Sequence, residues 1–130
     1  MVPWDHRRGL AWDFTCPGTL APLHLSSSTI AAGSVAREAE SLKCTKYGDL
    51  AVSHTFVPVV IETLGVWGQE AVSLVGEIGR RQAACTGELR SGLFFCKRIG
   101  IALQRGNAIF VLGTIKVPPL PGEEGGAEAR

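Results

Sequence analysis

The chain has 130 residues, 45% apolar and 19% charged, which excludes an intrinsically disordered chain and allows one domain with a core. Its net charge of +1 hides an asymmetry: residues 117–130 hold three Glu and one Arg, leaving 12 basic and 9 acidic residues elsewhere. That small surplus permits DNA as a partner without requiring it. No apolar run reaches spanning length and residues 1–10 lack a signal-like segment, so no membrane partner and an intracellular location, nuclear or cytoplasmic, are expected.

Residues 10–16, LAWDFTC, read as a strand stopped by Pro17 and Gly18. The stretch that follows, with two prolines and a serine run, reads as a loop. A helix is predicted from Ser34, its N-cap, to Tyr47, with Gly48 as C-cap. TFVPVVIETLG, residues 55–65, is nearly all apolar, as in a strand buried on both faces, and Pro58 assigns it an edge or a bulge. A second helix over residues 67–84 turns Ala71, Val72, Leu74, Val75 and Ile78 inward. A third, over residues 89–105, has Phe95, Ile99, Ala102 and Leu103 as its apolar stripe. Residues 107–117 read equally as a helix extension or a short strand. The domain thus covers residues 1–116, and the Pro/Gly/Glu tail at 117–130 is expected to be disordered.

The order strand–helix–strand–helix–helix specifies an α/β fold with a short, mostly parallel sheet built on one crossover unit. Two strands are few for a sheet, so the expectation is a fragment or truncated domain whose missing piece is most naturally a hairpin before residue 10. Cys16, Cys44, Cys85 and Cys96 show no CxxC or zinc spacing, also when His6, His24 and His54 are considered, and read as buried reduced thiols. The glycines form no phosphate-binding pattern.

Asp13 stands inside an apolar strand, where an unpaired carboxylate is costly. On the first helix, Val35, Ala39, Leu42 and Lys46 share one stripe at 100° per residue, which places Lys46 on the core-facing side with Tyr47 on its flank. Glu40 and Lys43 fall away from that stripe and read as a solvated pair. Asp13 and Lys46 are therefore the expected partners, as a direct pair or around a metal ion. The ordinary alternatives are a loop-capping aspartate and a lysine snorkelling to water.

LAWDFTCPGTLAP, AREAESLKCTKYGDLA and VPVVIETLG, in that order and spacing, resemble the restriction-endonuclease-like PD-(D/E)XK domain that follows the reverse transcriptase in non-LTR retrotransposon polyproteins. The resemblance covers residues 9–114. Glu40, Lys43, Lys46, Tyr47 and Leu50 match its E-x-x-K-x-x-K-Y-x-x-L helix, and Asp13 matches its strand acid. It implies a partial restriction-endonuclease-like core and a metal-dependent DNA endonuclease that uses Mg or Mn if active. It also implies Asp13 as metal ligand, Lys46 (with Lys43 as the alternative) as catalytic lysine, Tyr47 in support and Glu62 as a further carboxylate. Lys97, Arg98 and Arg105 are the candidate nucleic-acid contacts, their alternative being a solvated helical face. The family's further acid, in an upstream R/K-P-D motif, has no counterpart, since Asp5 stands too close to Asp13. The expectation is thus a degenerate, N-terminally truncated copy, inactive alone. An active DNA-nicking module and a non-enzymatic nucleic-acid- or protein-binding remnant are the alternatives.

Overall fold

The computed structural model describes residues 4–115. Its elements are β1 (Leu10–Thr15), α1 (Leu25–Ser28), α2 (Ser34–Lys46), β2 (Thr55–Val60), α3 (Gln69–Thr86) and α4 (Ser91–Thr114), with 3-10 turns at Pro22–His24 and Leu50–Val52. The tail expected to be disordered, residues 117–130, lies outside the described residues. β1 and β2 run parallel in unbroken register, from Leu10 opposite Thr55 to Thr15 opposite Val60, and form a two-stranded sheet. The α/β class and the helix-containing crossover are therefore as the sequence reads them.

The ladder accounts for Pro58. Thr55 N–H donates to the Gly9 carbonyl at 3.0 Å and Ile61 N–H to the Thr15 carbonyl at 3.1 Å. Such bonds recur at every second residue of a parallel strand, so Phe56, Pro58 and Val60 turn their backbone groups to the outer edge of β2. The missing proline N–H falls where the ladder needs no donor, and no bulge is required. On that same edge the Val60 carbonyl accepts from Gly68 N–H at 2.8 Å.

Strand alternation sets Ala11, Asp13 and Thr15 beside Phe56, Pro58 and Val60 on one face of the sheet. α2 covers that face, with the Tyr47 ring centred 4.9 Å from the Phe56 ring. The opposite face carries Leu10, Trp12 and Phe14. There, Leu74, Val75 and Ile78 of α3 and Phe95 and Ile99 of α4 close an apolar groove with them. The buried apolar residues Val35, Ala36, Val57, Val60, Ile61, Ala71, Leu74 and Val75 form a small core, and Trp12 and Phe14 stay 62% and 48% exposed.

Several local expectations are corrected. α2 buries Val35, Ala36 and Glu40. Its inward stripe runs through Ala36, Glu40, Lys43 and Tyr47, one residue on from the expected one, while Leu42 and Lys46 are exposed. Gly33, at φ 80°, holds the N-cap position instead of Ser34, whose hydroxyl donates to the Ala31 carbonyl at 2.8 Å. On α3, Ala71, Leu74 and Val75 are buried as expected but Val72 is exposed. Ala102 of α4 is likewise exposed. α4 continues through residue 114, which makes the first part of the undecided 107–117 stretch helical. Asn107 fixes that extension by donating its Nδ2 to the Thr63 carbonyl at 2.7 Å. The four cysteines are free, but Cys44, Cys85 and Cys96 are exposed, because they fall outside the narrow stripes that face the sheet. Only Cys16 is half-buried, and burial pushes its thiol pKa up. Among the described residues, no helix is long and apolar enough to cross a membrane.

Candidate functional site

Asp13 projects from the middle of β1 toward α2, where Lys43 Nζ donates to its Oδ2. The pair is largely shielded, Lys43 being 16% and Asp13 35% exposed at the side chain. Lys43 holds the Asp13 carboxyl below the ordinary aspartate range, first by that hydrogen bond. Burial opposes this, and the Lys43 charge, Tyr47 and the Lys46 charge add to the lowering. Tyr47, fixed by its contact with Phe56, stands next to the pair on the same helix face. The expected aspartate–lysine convergence on one face of the sheet exists, but the lysine is Lys43.

The reason is a rotation of the helix by one residue. Lys46 lies in solvent, its Nζ 5.0 Å from the Tyr47 ring. Glu40, expected beside Lys43 in solvent, is 7% exposed and its Oε1 accepts from Glu70 N–H at 3.0 Å. It thereby caps the N-terminus of α3, whose own cap position, Gly68, has no side chain to do so. Burial raises the Glu40 pKa above its ordinary value, while the backbone amides of Glu70, Ala71 and Gln69 pull the other way. The sequence signal missed here is a pair of glycines: Gly33 and Gly68 leave α2 and α3 without side-chain caps, so remote carboxylates supply them.

Glu62 is the second such carboxylate. It is 1% exposed at the end of β2, and its Oε1 accepts from Ala36 N–H at 3.1 Å, at the far end of α2 from Lys43. The structure thus assigns Glu62 to a helix terminus and does not bring it to Asp13. Among the described residues, no group of three or more His, Cys, Asp or Glu side chains is placed to hold a metal. A hard divalent cation takes about six oxygen ligands. A lone carboxylate already bound to an ammonium does not fit that requirement.

The basic residues of α3 and α4 divide into two sets. Arg80 and Arg81 both donate to Glu77, at 2.7–2.8 Å, and Arg80 foremost lowers the Glu77 pKa to about 2. Arg81 also donates to the Trp4 carbonyl at 2.6 Å and lies 4.0 Å from the Trp4 ring, which fastens the N-terminal segment to α3. Lys97, Arg98 and Arg105 are exposed on α4, an element that contains no acidic residue. α4 lies against the sheet face opposite Asp13, so these three residues do not join the Asp13–Lys43 pair.

No family model, curated protein or solved structure matches the chain. What the geometry itself defines is an α/β unit with one shielded, charge-neutral Asp–Lys pair under a tyrosine. Replacing Lys43 with Met removes the ammonium while keeping most of the stem. The Asp13 pKa should then rise, since burial remains and its main counter-influence is gone; carboxyl chemical shifts followed through a pH titration read this directly. An unchanged Asp13 titration would show that Lys43 does not hold the carboxylate.

Proposed function

We propose that the chain is a degenerate restriction-endonuclease-like domain of retrotransposon origin that does not cleave DNA on its own. The observation that supports this reading is the meeting of Asp13 with Lys43 and Tyr47 on one sheet face. Those residues are the strand acid and two members of the E-x-x-K-x-x-K-Y helix. In a working site of this kind, a lysine offsets charge that builds on a phosphate during hydrolysis. Here Asp13 itself neutralises Lys43. The remaining lysine of the motif, Lys46, points to solvent.

Supercoiled plasmid incubated with the protein and Mg²⁺ or Mn²⁺ tests the proposal. No Asp13-dependent nicking is expected. Metal-dependent nicking abolished in Asp13→Ala would establish an active endonuclease and overturn the inactive reading. A second reading, a nucleic-acid-binding remnant, is favoured by the acid-free, exposed basic surface of α4. It requires DNA binding that weakens with salt, survives Asp13→Ala and is lost when Lys97, Arg98 and Arg105 become Gln. Equal mobility of free and protein-mixed DNA at low salt would reject it.

A further inference from the structure

The groove on the sheet face opposite Asp13 is large enough to hold a ligand. Beside Trp12 and Phe14 it has a volume of about 440 Å³, lined wholly by apolar side chains. Phe14, Ile61 and Ile99 are shared with a second lobe of about 420 Å³, which continues along α4 to Cys16, Leu103 and Asn107. Each lobe falls in the size range of small-molecule sites. β1, which runs along the groove, has six residues and spans about 20 Å. Burial raises the pKa of the Cys16 thiol in the second lobe, as a surrounding of low polarity requires. The rim, by contrast, is cationic. Arg98 and Arg105 stand on one flank of α4 and border a depression there. That depression shares Phe95 and Ile99 with the first lobe and Ala102 and Gly106 with the second. α4 carries no acidic residue of its own.

These features select the occupant. Walls with so few polar groups would leave the hydrogen-bonding groups of a sugar, a nucleotide or an extended peptide unsatisfied. A helix from a protein partner is about 10 Å across, so either lobe has room for about one turn of it. A neutral hydrocarbon would fill the lobes but make no use of the two arginines. A long hydrocarbon chain that ends in a carboxylate suits both the apolar trough and its charged rim. We propose that the groove binds a free long-chain fatty acid, its chain lying along β1 through the two lobes and its carboxylate at Arg98 and Arg105. Guanidinium groups match a carboxylate in geometry as well as in charge. The site does not depend on the nuclease reading.

Calorimetric titration of the full chain with sodium laurate, kept below its micelle concentration, tests this. One saturable site is expected. Changing Arg98 and Arg105 together to Gln should weaken laurate by about fivefold, as for an exposed ion pair, and leave lauryl alcohol unchanged. Ala102→Trp, at an exposed position on the margin of the groove, should block uptake of both. Val72→Lys, on the exposed side of α3, should bind laurate as the unaltered chain does. Laurate should also slow alkylation of Cys16 in the unaltered chain and leave Cys44 and Cys85 unaffected. Uptake that does not saturate, undiminished binding by Ala102→Trp, or Cys16 alkylation at an unchanged rate overturns the proposal. So does an equal loss of laurate and lauryl alcohol in the arginine variant. Attachment to phosphatidylglycerol vesicles without laurate binding would assign the basic rim to a bilayer and overturn it too. If Ala102→Trp fails to fold, the protection of Cys16 decides alone.

Discussion

Gly79→Ala is expected to destabilise the protein by about 2–3 kcal/mol, a large share of the stability of a small domain. A Cβ at Gly79 would stand 2.5 Å from the Gly92 Cα and 3.1 Å from its backbone nitrogen, so the obstruction is main chain and cannot swing aside. The two helices must separate, and with them the apolar wall that Leu74, Val75 and Phe95 present to the sheet. Gly76→Ala, one turn earlier, provides the contrast. Nothing lies within 4 Å of a Cβ there, so the change should raise stability by about 0.5–1 kcal/mol through helix propensity alone. Urea unfolding of both variants measures the pair. Equal behaviour of the two would mean that α3 and α4 do not meet backbone to backbone.

Glu40→Ala should cost about 1–2 kcal/mol by uncapping α3, whereas Glu40→Gln should keep the cap, because its amide oxygen can accept from Glu70 N–H. Gly68→Ala should act on the same bond from the other side. A Cβ there would lie 2.1 Å from Glu40 Oε1, pushing the carboxylate off the helix terminus, although the Gly68 backbone, at φ −66°, suits alanine well. The two substitutions should therefore be strongly non-additive: adding Glu40→Ala to Gly68→Ala should cost little more. Full additivity in urea unfolding would show that they act independently. The pH dependence has a definite sign. Burial raises the folded-state pKa of Glu40, so the folded protein binds the proton more tightly than the unfolded chain. Stability from this group is present below its ordinary value of 4.5 and declines as pH rises through the raised one. Glu40→Gln should abolish that decline. Asp13 and Glu77, both lowered, contribute oppositely: their stabilisation is present above the unfolded values and is lost on acidification.

The strands and helices were legible because each has a local signature. β1 and β2 are short apolar runs between turn residues, and α3 carries its buried Ala71, Leu74 and Val75 at helical spacing. The rotation of α2 was not legible. A stripe through Val35, Ala39 and Leu42 is the more apolar, yet the helix turns Glu40 and Lys43 inward because both have partners remote in sequence, at Glu70 and Asp13. Periodicity ranks faces by hydrophobicity and is blind to such partners. The same limit explains Glu62, which the resemblance implies as a further carboxylate of the site and which instead caps a helix 26 residues earlier. The cysteines are free as expected, but Cys44, Cys85 and Cys96 are exposed for a different cause: a two-stranded sheet offers too little surface to bury them, and strand number is set by pairing, not by composition.

The placement of Pro58 sets a ceiling on assembly. Fibrils of stacked strands require each unit to accept a neighbour at both of its edges. The outer edge of β2 lacks a donor at Pro58, and its Val60 carbonyl is consumed by Gly68, so that side offers no continuous template. Among the described residues, the β1 edge beyond Arg8 is the one left without a partner strand. In the language of polymer chemistry the β2 side is a chain stopper: growth of the sheet cannot propagate through it.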